Sequence, residues 1–162
     1  EGMTTTLGIS HIGLGVKDLD RSVHFYNEIL GLKIVHEVEY DEMPQILRHP
    51  ERPARRAVYL RAGEGDRAAV VVLGTIDEEN QAGPILFDDL GINHFSIWVD
   101  DIRALHQRLV DAGVEVILQP VDVESYQIDQ GGQGRDGGPC ATMLFRDPDG
   151  FMLQADERLP SV

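Results

Sequence analysis

The sequence predicts an α+β fold of two pseudo-symmetric modules, each a strand, a helix and three further strands. The first observation behind this is an internal repeat, because Ile9–Leu19 aligns without gaps with Ile92–Ile102 at an offset of 83 residues. The second is the alternation of apolar and polar residues in both copies. The third is size: 162 residues with 42% hydrophobic side chains can build a core, and this length is typical of one domain.

The first strand of each module is predicted at Ser10–Val16 and Asn93–Val99. In both, apolar residues alternate with polar or small ones. Because successive side chains of a strand point to opposite faces, the apolar set should pack under the helix that follows. His11 and His94 should therefore lie on the opposite face of their sheets.

A helix follows each first strand. Asp18 or Asp20 can cap the first helix and Asp101 the second, since a carboxylate accepts from the free N–H groups of the first turn. Gly31 and Gly113 stand where a left-handed residue commonly ends a helix. The spacing from Asp18 to Gly31 is one residue longer than the spacing from Asp101 to Gly113.

Three strands are predicted after each helix, separated by turn signals rich in Gly, Asp and Pro. They are Leu32–Tyr40, Ala57–Ala62 and Ala69–Leu73 in the first module, and Val114–Leu118, Cys140–Arg146 and Phe151–Ala155 in the second. A boundary is expected within residues 80–91. Module one then covers about residues 8–76 and module two about residues 92–157, together forming a single domain over residues 1–162.

Charge narrows the range of partners. The formal net charge is −14, so phosphate backbones and anionic lipid surfaces should be repelled. We therefore expect neither a nucleic acid nor a membrane as partner, and no apolar run approaches the ~20 residues of a membrane span. A single cysteine, Cys140, excludes an internal disulfide and favours a cytoplasmic location.

Four stretches together resemble the vicinal oxygen chelate superfamily, which includes glyoxalase I, extradiol dioxygenases and bleomycin-resistance proteins. They are Ile9–Val16, Phe25–Leu32, Ile92–Phe95 and Phe145–Leu153. The resemblance extends over about residues 8–157. It implies modules whose sheets curl into a half-open barrel cleft, a homodimer, and a divalent metal bound from the first and last strand of each module.

Carried over residue by residue, the resemblance implies His11, His94 and Gln154 as metal ligands. The two histidines match the first-strand positions, and neutral imidazole is a common ligand of transition metals. The position of Gln154 is usually Glu in the family, and the matching stretch Ala69–Leu73 has no ligand. Fe, Zn, Ni and Mn are equally compatible. In the alternative, the histidines form hydrogen bonds in a metal-free cleft, and Gln154 is a buried polar residue bonded to His94 or to substrate.

Substrate contacts are expected from residues that share the cleft face. Trp98 is predicted on the same strand face as His94, and Met152 on the same strand face as Gln154. His36 lies in a strand that can reach the cleft. Tyr126 belongs to a glycine-rich segment at 120–139 that can act as a lid. The sequence assigns no catalytic residue.

The expected function is a small-molecule metalloenzyme of the glyoxalase and dioxygenase type, a lyase or an oxidoreductase. It would hold vicinal oxygens of a small organic substrate at the metal. The alternative is a metal-free protein that sequesters a small molecule, as antibiotic-resistance members of the family do.

Overall fold

The computed structural model describes residues 9–40, 55–64, 69–76, 85–86, 90–123 and 139–160. The strands within them are β1 (His11–Val16), β2 (Lys33–Tyr40), β3 (Arg55–Ala62), β4 (Ala69–Thr75), β5 (His94–Trp98), β6 (Val116–Val123), β7 (Cys140–Arg146) and β8 (Met152–Arg158). The helices within them are α1 (Leu19–His24), continued by a π-helical segment (Phe25–Ile29), and α2 (Ile102–Asp111). The predicted order of strand, helix and three strands, present twice, is confirmed.

The chain divides into unit 1 (Glu1–Gln81) and unit 2 (Ala82–Val162). Each unit contains one four-stranded mixed sheet, ordered β1-β4-β3-β2 in unit 1 and β5-β8-β7-β6 in unit 2. In each, the first and last strands of the unit pair in parallel and the remaining pairs are antiparallel. Both sheets stay open at their edges, so the predicted α+β class is confirmed.

Apolar alternation places the core of each unit on the helix-covered face of its sheet. In unit 1, Leu14 and Val16 are buried, and α1 contacts β4. In unit 2, Leu105 and Leu109 of α2 are buried, and the helix contacts β6, β7 and β8. Neither α-helix of the described residues has the length and apolarity that a membrane crossing requires.

Both helices begin at the predicted carboxylates. The side chain of Asp18 accepts from Arg21 N at 3.0 Å, so Asp18 is the N-cap of α1 and Asp20 lies in its first turn. Asp101 accepts from Ala104 N at 2.8 Å and caps α2. Each unsatisfied N–H of a first turn that gains such an acceptor typically stabilises a helix by ~1 kcal/mol.

The first helix ends one residue later than its counterpart because it changes its winding. Leu30 N donates to Phe25 O at 3.0 Å, an i→i+5 bond, and residues 25–29 form the π-helical segment. A wider turn holds one extra residue and still leaves Phe25 and Tyr26 buried. Gly31 then takes a φ of 79°, as Gly113 takes 70° after α2.

Candidate functional site

The parallel strands β5 and β8 place six side chains on one face of the sheet of unit 2. The paired positions are His94 with Met152, Ser96 with Gln154, and Trp98 with Asp156. Directly paired residues of neighbouring strands project to the same face, and every second residue along a strand shares it. We call these six residues the polar face of unit 2.

Asp156 is the centre of the hydrogen bonds on the polar face. Its side chain is 1% exposed. Ser96 Oγ donates to Oδ2, while Gln154 Nε2 lies 2.9 Å from Oδ1 and 3.1 Å from Oδ2. The Asp156 carboxylate therefore holds the side-chain amide of Gln154, two residues earlier in the same strand, by its nitrogen.

Sequence reasoning missed Asp156 because it ended the last strand at Ala155. The run of charged residues after Ala155 has low strand propensity. In the structure, β8 continues to Arg158 because β7 supplies backbone partners as far as Cys140. The period of two residues from Gln154 would have placed Asp156 on the same face, had the strand been extended.

Both candidate histidines are engaged at Nδ1 by the residue that precedes them. His94 Nδ1 lies 2.5 Å from Asn93 Oδ1, and His11 Nδ1 lies 3.0 Å from Ser10 Oγ. A hydrogen bond at one ring nitrogen fixes the orientation of the ring. For His94, the Asn93 oxygen can only accept, so Nδ1 carries the proton and Nε2 keeps the lone pair that metal ligation needs.

The equivalent face of unit 1 is much simpler. There, β1 and β4 pair His11 with Val70, Gly13 with Val72 and Gly15 with Gly74. Val72 occupies the position that Gln154 has in unit 2. His11 is thus the residue with metal-ligand chemistry on this strand pair.

The expected substrate-contacting residues have different surroundings. Trp98 is 42% exposed, and the guanidinium carbon of Arg158 lies 4.8 Å from its ring centroid, a cation–π distance. Met152 is only 5% exposed. His36 is exposed and its ring centroid lies 5.5 Å from that of Tyr59. Contact of these residues with substrate stays a prediction.

Tyr126, the fourth of these candidates, lies outside the described residues. Cys140 lies at the start of β7 and is buried. Burial raises the pKa of the Cys140 thiol, and the negative charge of Asp156 raises that pKa further. A thiol in this environment stays protonated at neutral pH and is a poor nucleophile.

The donor chemistry of the candidate ligands fits a divalent metal. Imidazole nitrogens suit the transition metals, and the amide oxygen of Gln154 is backed by a negative charge on Asp156. Across the described part of the chain, no three His, Cys, Asp or Glu side chains gather into a metal cluster. His11 belongs to unit 1 and His94 to unit 2.

Two βαβββ modules, each with an open sheet and a histidine at the start of its first strand, are the features by which this chain can be compared with known protein families. The sequence model described as the Glyoxalase/Bleomycin resistance protein/Dioxygenase superfamily matches residues 8–155. The chain belongs to this superfamily, which confirms the resemblance seen in the sequence.

Curated relatives with a named activity match nearly the whole chain. A probable lactoylglutathione lyase of Vibrio cholerae is 27% identical over 150 residues, which cover 90% of this chain and 87% of the relative. A lactoylglutathione lyase of Haemophilus influenzae is 26% identical over 146 residues, covering 90% and 89%.

Solved structures show the same fold. A glyoxalase family protein from Bacillus cereus superposes with a TM-score of 0.72 at 15% identity, covering 99% of both chains. A glyoxylase/bleomycin resistance protein/dioxygenase domain from Frankia sp. gives a TM-score of 0.62 at 24% identity, covering 96% of this chain and 100% of that one.

Proposed function

We propose that the protein is a small-molecule metalloenzyme of the glyoxalase type that binds two neighbouring oxygens of its substrate at a divalent metal. The observation that carries the proposal is the polar face of unit 2. It combines an imidazole held at Nδ1 with an amide held at its nitrogen end by a buried carboxylate. Both groups are thereby pre-organised as ligands. The names of the curated relatives favour lyase chemistry.

In this proposal His11 and His94 bind the metal through Nε2 and Gln154 binds it through Oε1. A bound divalent metal polarises the substrate oxygens that it contacts. For these three residues to share one ion, the faces of the two units must border one cleft of a single domain. That arrangement, over residues 1–162, is part of the proposal.

The residues around the ligands would bind and orient the substrate. We assign this role to Trp98, Met152, His36 and Tyr126. Gln154 cannot accept a proton near neutral pH, so any proton transfer that the reaction requires must use another group. The proposed reaction therefore depends on polarisation of the substrate more than on a base at position 154.

The metal content of protein purified without added metal tests the proposal first. Calorimetric titration of chelator-treated protein with Fe²⁺, Zn²⁺, Ni²⁺ and Mn²⁺ should give one site per chain. The His11→Ala and His94→Ala variants should each lose that site, whereas His106→Ala, on α2, should keep it. Thiol adducts of 2-oxoaldehydes and catechols are the first substrates to assay. Failure of all four metals to bind the wild-type protein would refute the metalloenzyme.

A second candidate is a metal-free binding protein that uses the same faces. It is favoured by Val72 at the position equivalent to Gln154, which leaves unit 1 with His11 alone on this strand pair. Small-molecule binding that survives complete removal of metal would support this candidate. Binding that requires metal would exclude it.

We also propose that the protein is a cytoplasmic homodimer. The outer strands β2 and β6 carry exposed apolar side chains that a second copy would cover: Ile34, Val35, Ile117, Leu118 and Val121. Dimers of this kind bury self-complementary surfaces. Light scattering should give twice the chain mass of 18.0 kDa. A constant monomer mass over a wide concentration range would contradict the dimer, and cell fractionation tests the location.

A further inference from the structure

The buried carboxylate of Asp156 is not itself one of the proposed metal ligands. A carboxylate that is 1% exposed needs hydrogen bonds to offset the loss of water, and Ser96 and Gln154 supply them. Both donors lie on the polar face of unit 2. The strongest hydrogen-bond acceptor of the polar face, the Asp156 carboxylate, therefore binds Gln154, the residue at the proposed metal-ligand position.

The chemistry of this contact fixes the direction of the Gln154 amide. An ionised carboxylate only accepts hydrogen bonds, so the amide must present its nitrogen to Asp156. The N···O distances of 2.9 and 3.1 Å agree with that orientation. The amide oxygen is consequently the end turned away from Asp156.

The same contact changes the electrostatics of position 154. Hydrogen bonds to an ionised acceptor are stronger than neutral ones, and a chain of hydrogen bonds polarises its members. An amide whose N–H faces a negative charge carries more electron density on its oxygen. That oxygen is then a better partner for a cation than the oxygen of an isolated amide.

We propose that Asp156 is a positioning residue that holds the Gln154 oxygen toward the ligand and supplies the negative charge that position 154 itself lacks. Position 154 thus takes a divalent cation and disfavours an anionic oxygen. The identity of the cation as a bound metal rests on the proposed function. The orientation of the amide rests on the contact with Asp156 alone.

This pairing changes what the substitution Gln154→Glu should do. Alone, it would set two carboxylates at hydrogen-bond distance, where like charges repel. Combined with Asp156→Asn it exchanges the two groups: Glu at position 154 then accepts from the amide of Asn at position 156. The exchange keeps one negative charge and one hydrogen bond, and moves the charge to the ligand position.

The test compares wild type, Asp156→Asn, Gln154→Glu and the double variant, first in chelator. Thermal unfolding should show both single variants less stable than wild type and the double variant more stable than either. Rescue of this kind requires that residues 154 and 156 interact directly, whereas the stability losses of two independent substitutions would add. Additive losses would overturn the positioning role, whether or not the protein binds metal.

The second arm is calorimetric titration with Ni²⁺, Zn²⁺ and Mn²⁺. Asp156→Asn should bind metal at least tenfold more weakly than wild type, and the double variant at least as tightly as wild type. Equal affinity of wild type and Asp156→Asn would overturn the inference and leave the proposed function intact. If wild type binds no metal, the proposed function and the cation at position 154 both fail, and the chelator arm still decides the amide orientation.

Asp147→Asn is the matched control for the loss of a buried charge. Asp147 is 5% exposed and its Oδ1 accepts from Asp149 N and Phe151 N, at 2.9 and 2.8 Å, in the turn between β7 and β8. This variant removes the same charge away from the polar face. It should change thermal stability without changing metal affinity.

Discussion

The two units have the same strand order and equivalent pairing of their first and last strands, yet the faces that carry His11 and His94 differ at nearly every position. Where unit 2 has Ser96, Trp98, Gln154 and Asp156, unit 1 has Gly13, Gly15, Val72 and Gly74. The first histidine is the residue that both faces share. The helix-covered faces, by contrast, are apolar in both units. The difference shows that one set of alternating residues specifies the fold while the other set is free to acquire or lose chemistry.

The largest expected effect tests whether the two cores are equivalent. Leu60 of β3 and Phe145 of β7 are both 0% exposed and occupy the same place in their sheets. Leu60→Ala and Phe145→Ala should each cost about 2–5 kcal/mol, because each leaves a cavity. Chemical denaturation followed by circular dichroism measures both. A loss confined to one variant would break the equivalence of the cores.

The second effect tests whether the two faces differ in function. Under the proposed function, Gln154→Ala should weaken metal binding about 100-fold, or about 2.7 kcal/mol, because the amide ligand oriented by Asp156 is lost. Val72→Ala, at the equivalent place in unit 1, should change it less than twofold. Titration calorimetry separates them. Similar losses in both variants would mean that metal affinity only reports general stability.

A third test concerns the glycines of β1. A Cβ at Gly15 would overlap the side chain of Ile76, whereas a Cβ at Gly13 would meet no atom within 4 Å. Gly15→Ala should therefore cost about 1–3 kcal/mol through overpacking. Gly13→Ser, which copies Ser96 into unit 1, should be tolerated. Thermal melts of the two variants give the comparison, and equal melting temperatures would contradict it.

At alkaline pH the expected change in folding stability comes from Cys140 in unit 2. The pKa of the Cys140 thiol is raised from its ordinary value of 9.0, chiefly by burial. The folded protein then holds this proton where the unfolded chain releases it, so stability should decline as the pH rises through about 9. Cys140→Ala should flatten that decline. A decline of the same slope in the variant would assign it to other groups.

The smallest expected effect on folding stability comes at acidic pH from the Lys33–Glu64 pair in unit 1. The hydrogen bond and charge of Lys33 lower the pKa of the exposed Glu64 carboxyl from its ordinary value of 4.5. Its contribution is present above pH 4.5 and is lost as the pH falls further. Exposed pairs contribute little, so Glu64→Gln should be indistinguishable from wild type at pH 7. A clear loss of stability at pH 7 would contradict this.

Most of the fold could be predicted because it depends on local signals. Alternating apolar residues gave the strands, and Asp18, Asp101, Gly31 and Gly113 gave the helix ends. The site could be predicted only in part. Asp156 became visible once the backbone partners of β8 were known, since sheet pairing can extend a strand through charged residues that have low intrinsic propensity.

The π-helical segment has a consequence for aligning the two halves of the sequence. Copies of one module commonly differ in length in their turns, and here the offset between the copies is 85 residues at β3 and β7. Residues 25–29 show a different place, because the extra residue of the first copy is taken up inside a helix. The offset falls from 83 residues at the first strands to 82 just after the helices, at Gly31 and Gly113, and it is 82 again at the last strands. An alignment of the two halves would therefore carry one gap within a helix besides those in its turns.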